Sequence, residues 1–135
     1  MIKIKRAKEI VINTLNEVGV LAEISQIISA EGIDIQALSC RVEGIKAVVN
    51  IITGDNSTAF KALKDKKFEP FELDVVAIDV PNKAGMTKRI SGELNKHKIN
   101  IGYLYATALK DQDRCLVVAS TSDIDKTIDV LSKLK

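Results

Sequence analysis

Apolar and polar positions along this chain change period several times, and each change marks an element. Glu9 to Thr14 is a short run rich in β-branched residues and reads as a strand that ends at Leu15. Leu21, Ile24, Ile27 and Ile28 then recur at helical spacing until Gly32, a natural helix stop. Ile33 to Val42 and Ile45 to Thr53 are two strand-like runs that meet at Glu43 and Gly44, a tight hairpin turn. Asp55 provides an N-cap for a second helix whose Ala59, Phe60 and Leu63 face inward, and Phe68 to Phe71 opens another extended run. The order is βαββαβ.

The same order then recurs. Val75 to Val80 predicts a strand; Met86, Ile90 and Leu94 a helix; Ile99 to Leu109 and Cys115 to Thr121 two strands; Ile124, Ile128 and Leu131 a final helix. Displacing the sequence by 66 positions lays NEVGVLAEISQIISAEGIDIQAL, from Asn16, over NKAGMTKRISGELNKHKINIGYL, from Asn82, without a gap. Asn16, Gly19, Ile24, Ser25, Ile33, Ile35 and Leu38 fall on identical residues. A two-residue insertion in the hairpin turn, where length changes are tolerated, then brings Ala47 to Asp55 over Cys115 to Asp123. The chain is therefore expected to be two copies of one supersecondary unit, residues 1–67 and 68–135, packed as a pseudo-symmetric pair. No strand follows the last helix, and the same shift places Ile2 to Ala7 over Phe68 to Leu73. The alternating segment from Ile2 to Lys5 is thus expected to complete the second sheet. The predicted class is α+β: two ferredoxin-like modules in tandem, antiparallel sheets with helices on one face.

Composition narrows the function. Hydrophobic residues make up 46% of the chain and charged residues 28%, enough apolar material for a folded core. The net charge of +2 comes from 20 basic and 18 acidic residues mixed along the chain, so no footprint for nucleic acid or an anionic membrane stands out. Cys40 and Cys115 lie far apart in apolar runs, as reduced thiols packed like small hydrophobes would, which suggests a cytoplasmic protein. No apolar run approaches the length of a membrane span or a signal segment.

The chemistry concentrates where the first strand of each copy turns into its helix. NEVG and NKAG each place a glycine at the helix start, allowing a backbone turn that a β-carbon would hinder. A helix N-terminus presents unpaired amides and the positive end of its dipole, a ready site for a carboxylate, with Asn16 or Asn82 beside it. The blander reading is that Asn and Gly merely make a turn, and two copies of one ancestral turn would keep both.

NEVGVLAEISQIISAEGIDIQALS and NKAGMTKRISGELNKHKINIGYLYA resemble the ACT domain family, with its pattern of Asx, two residues, Gly, a hydrophobic helix, then a Gly-ended turn into an Asn-Ile or Asp-Ile strand, and specifically compact proteins of two such domains. The resemblance spans nearly the whole chain. It implies regulatory modules that bind amino acids at module interfaces through the loop between first strand and first helix. Carried over, that loop is Asn16, Glu17, Val18, Gly19, Val20 and Leu21, and again Asn82, Lys83, Ala84, Gly85, Met86 and Thr87. The start of the second strand, Ile35 and Gln36 or Ile101 and Gly102, faces the same pocket in the family. Val18 and Ala84 stand where the family often has proline, so both loops lose some rigidity. Glu17 against Lys83 and Leu21 against Thr87 distinguish the copies; Leu21, the family's apolar residue after the glycine, favours the first, whereas Lys83 and Thr87 would offer the second site extra carboxylate contacts.

Other chemistries find little support. His97 is the only histidine and sits in the polar segment Asn95 to Lys98, so no triad or metal site can be built on it. The first loop holds no CxxC for metal transport, and Tyr103 and Tyr105 lack the aromatic pattern of an RNA-binding sheet, so they are expected at an interface. Asp111, Asp113, Asp123, Asp125 and Asp129 read as a solvated turn and helix face. No phosphate loop or nucleophile elbow is present, and an acylphosphatase would need an arginine in the first loop. The expectation is a non-enzymatic sensor without metal or cofactor, dimerising through sheet edges, binding a small molecule, an amino acid by preference, and read by a metabolic enzyme. The alternative is an accessory subunit that assembles with such an enzyme and binds no ligand itself.

Overall fold

The computed structural model describes residues 2–134. Among them the chain forms β1 (Lys3–Leu15), α1 (Val20–Ala30), β2 (Ile35–Glu43), β3 (Lys46–Thr53), α2 (Asn56–Asp65), β4 (Phe71–Pro81), α3 (Met86–Lys96), β5 (Ile101–Thr107), β6 (Arg114–Thr121) and α4 (Ile124–Leu131). The result is a tandem ferredoxin-like α+β fold with antiparallel strand pairing in each copy. Two compact units emerge: Lys8–Leu73, and Met1–Ala7 together with Asp74–Lys135.

In the Lys8–Leu73 unit the strands lie in the order β2-β3-β1. Ile10 pairs with Ile51 and Ile12 with Val49, which sets β-branched side chains side by side on one face. Helices α1 and α2 cover that face, and Ile10, Ile12, Ile24, Ile28, Val49, Ile51, Ala59 and Leu63 form a core in which every member is fully buried. Burying each large member contributes about 1.5–3 kcal/mol. The opposite face is also buried near its centre, at Val11, Val48 and Asn50, and it contains the buried Glu9. The Asn50 amide donates to Glu9 Oε1 at 2.8 Å, while Asn50 Oδ1 accepts from Arg41 at 3.1 Å, so these polar groups are satisfied within the sheet.

The second unit repeats the plan with β4-β6-β5. Val76 faces Ala119 and Ile78 faces Val117 across the ladder. These residues join Val80, Met86, Ile90, Leu94, Ile99, Val130 and Leu131 in a second core, with Ile2 and Ile4 packed against it.

Several boundaries depart from expectation. The segments from Ile2 and from Glu9 are not separate: β1 runs unbroken from Lys3 to Leu15, because no glycine or proline interrupts Ala7-Lys8. Strand β4 runs from Phe71 through Pro81, so the strand expected from Val75 begins four residues earlier, while Phe68 to Pro70 of the extended run expected from Phe68 lie in no strand. Strand β5 stops at Thr107, short of Leu109, where the longer second hairpin begins. Cys40 is exposed on β2, whereas Cys115 is half-buried against its core as expected. No helix among the described residues is long and apolar enough to cross a membrane.

Candidate functional site

The first junction is built by main-chain bonds. After β1 the Asn16 amide donates to the Ile45 carbonyl at 2.9 Å, the Glu17 amide to Leu15 at 2.9 Å, and the Val20 amide to Glu17 at 3.3 Å. This tight turn ends at Gly19, the N-cap of α1, with φ 87 and ψ 0. That left-handed conformation is one a β-carbon disfavours, so glycine is required although the space around it is open. The second junction copies the first: Asn82 donates its amide to Asp113 at 2.8 Å, Lys83 to Pro81 at 3.0 Å, and Gly85 caps α3 with φ 90 and ψ −5.

The four helix starts fall into two kinds. Asp55 caps α2, accepting from the Thr58 amide at 3.1 Å and its hydroxyl at 2.7 Å, and these bonds hold the Asp55 carboxyl below its ordinary value. Asp123 caps α4 through the Lys126 amide at 3.0 Å, a role beyond the solvated face expected of it. Helices α1 and α3 have no side-chain cap. Their first intrahelical bonds run from Glu23 to Gly19 at 2.9 Å and from Arg89 to Gly85 at 3.0 Å. The amides of Leu21 and Ala22, and of Thr87 and Lys88, therefore have no acceptor among the described residues.

The side chains around these amides differ. Asn16, Glu17, Val18 and Leu21 are exposed and Val20 leans on the first core. Asn82 instead is committed, its amide group donating to the Leu109 carbonyl at 2.7 Å and the Gln112 carbonyl at 2.9 Å. Those two hydrogen bonds tie down the longer β5–β6 loop, a role that the sequence signalled only through the hairpin insertion. Met86 is buried in the second core, so only its backbone is available to a ligand, whereas Lys83, Ala84 and Thr87 are exposed. Charge also divides the pair: Glu17 and Glu23 flank the first junction, Lys83 and Lys88 the second.

Ile35, Gln36, Ile101 and Gly102 share one feature that sequence reading missed. Both strands carry a register shift there, between Ile35 and Ala37 in β2 and between Ile101 and Tyr103 in β5. Gln36 and Gly102 are thus bulge residues, and such bulges re-aim side chains at strand starts. A β-carbon on Gly102 would meet Ser120 Oγ at 3.4 Å.

A family model for an ACT domain pair matches residues 5–135. The crystal structure of protein BT0572 from Bacteroides thetaiotaomicron is similar at 32% identity, covering 96% of this chain and 89% of that one, with a TM-score of 0.88. The ligand-free regulatory subunit of aspartate kinase from Thermus thermophilus shares the fold at 13% identity, covering 98% and 95%, with a TM-score of 0.72. Aspartokinase alpha and beta subunits do so at 15% identity, covering 98% and 95%, with a TM-score of 0.70. Among curated proteins, none matches in sequence.

Proposed function

This chain belongs to the ACT domain family as an ACT domain pair, and from that premise we propose that it is a non-enzymatic sensor that binds an amino acid at its first strand-to-helix junction. The observation that carries the reading is the uncapped start of α1, where the Leu21 and Ala22 amides lack acceptors beside an Asn16 side chain left exposed. A carboxylate suits those amides and the helix dipole. Asn16 and Glu17 offer the acceptors that an ammonium group needs, so the first junction suits a zwitterion. At the second, Asn82 is committed to its hairpin and Lys83 replaces Glu17, so that copy serves structure.

In this reading the modules divide near residue 67, and residues 2–7 complete the second sheet; the packing of Ile2 and Ile4 on the second core supports this. The ligand acts by shifting the population of module packings, and a metabolic enzyme reads the shift. The likeness of fold to a kinase regulatory subunit supports that kind of partner. Strands β2 and β5, each last in its strand order, offer the edges through which two copies dimerise. The cytoplasm, where free amino acids abound, is the compartment such a sensor requires.

Thermal unfolding in the presence of each of the twenty amino acids tests the reading. A ligand at a hundred times its Kd stabilises by about 2.7 kcal/mol. At least one amino acid should raise the midpoint; Gly19→Val should remove the response and Gly85→Val should keep it. No shift with any amino acid, or an equal loss in both variants, contradicts the assignment.

A further inference from the structure

The second unit carries a groove of about 270 Å³ lined by Lys3, Ile4 and Lys5 of β1, Ala77 and Asp79 of β4 and Leu116 of β6. We propose that this groove binds small carboxylic acids that have a compact apolar body and no ammonium group.

The charge of the lining sets that preference. Asp79 is already engaged: its carboxylate accepts from Arg114 Nε at 2.8 Å and its carbonyl from the same guanidinium at 3.0 Å. Lys3 and Lys5 are exposed and have no ion-pair partner among the described residues. An entering carboxylate meets two free cations, while an entering ammonium meets two like charges and a carboxylate that is spoken for. Buried Ala77 and half-buried Leu116 supply an apolar floor, while the Ile4 side chain turns to the core on the other face. The volume lies near the lower end for ligand pockets, which start at about 300 Å³, so the ligand is small.

The other copy shows that the groove is no by-product of the fold. The repeat alignment lays Lys3, Ile4 and Lys5 over Glu69, Pro70 and Phe71, Ala77 over Val11, and Leu116 over Val48. There Glu69 puts a negative charge in place of one cation, Phe71 removes the other, and Val11 adds bulk over Ala77; Val11 and Val48 are buried. One copy has the residues for an apolar acid and its twin has lost or never had them.

Amide chemical-shift titration of the full chain with α-ketoisocaproate, leucine and acetate tests the proposal. Leucine keeps the body and adds the ammonium; acetate keeps the carboxylate and drops the body. The keto acid should give saturable shifts at Lys3, Lys5, Ala77 and Leu116, with affinity at least tenfold above either control. The double variant Lys3→Glu, Lys5→Glu alters only exposed side chains and should lose at least tenfold in affinity; Ala77→Val, which imitates the other copy, should weaken binding as well. Equal binding of leucine or acetate, shifts confined to residues 16–22, indifference to the charge reversal, or no saturable shift at the groove would each overturn it.

Discussion

The two strand-to-helix junctions have one backbone and two employments. Gly19 and Gly85 take nearly the same left-handed conformation, φ 87 and φ 90, and neither helix start has a side-chain cap. Yet Asn82 spends its amide group on two hairpin carbonyls, while the Asn16 side chain is exposed and makes no such bond among the described residues. The turn geometry is thus the same in both copies, and the two asparagines differ in whether their side chains are engaged. A motif that occurs twice testifies to a shared backbone; its chemistry has to be judged one copy at a time.

The largest effect that can break the comparison lies in the cores. Ile24 and Ile90 are repeat partners, 0% and 1% exposed. Truncating either to alanine should cost about 2–5 kcal/mol in denaturant unfolding, and the two losses should agree within about 1 kcal/mol. A large loss in one and none in the other would show that the copies are unequal scaffolds. The junctions come next. Asn82→Ala should cost about 0.5–1.5 kcal/mol, because it removes two hydrogen bonds and frees a loop, while Asn16→Ala should stay within about 0.5 kcal/mol. The reverse ranking would remove the distinction drawn between them.

The smallest expected effect is acid-dependent and compares the two capped helices. Asp55 receives a hydroxyl bond from Thr58, where the other copy has Lys126 in the equivalent place. Its carboxyl is held below the ordinary value of 3.8, so the cap contribution is complete above that pH and fades as pH falls through the lower, folded-state value. Amide exchange at Thr58 should accelerate only in that acid range, and Thr58→Ala should move the onset to higher pH. An onset unchanged by Thr58→Ala would separate the hydroxyl from the effect.

Much of this was legible in the chain. Helical spacing of Ile24 and Ile28, the β-branched runs and the gapless repeat located every helix and the hairpins, since burial on one face writes its period into sequence. The glycine requirement was legible as well, because few residues other than glycine adopt its φ cheaply. The joining of residues 3–8 to the first strand was not, since alternation alone cannot show where one strand ends without a breaker between. The use of Asn82 was hidden too: its partners are carbonyls, which any residue supplies. The bulges at Gln36 and Gly102 and the groove at Lys3 and Lys5 depend on register and on strands distant in sequence, which a local pattern does not record.

The central claim is most directly tested at the amides themselves. On titration with the amino acid that most raises thermal stability, Leu21 and Ala22 should show saturable downfield shifts, as new hydrogen bonds to a carboxylate form, and Thr87 and Lys88 should stay in place. Unmoved Leu21 and Ala22 resonances at saturating ligand would contradict the account.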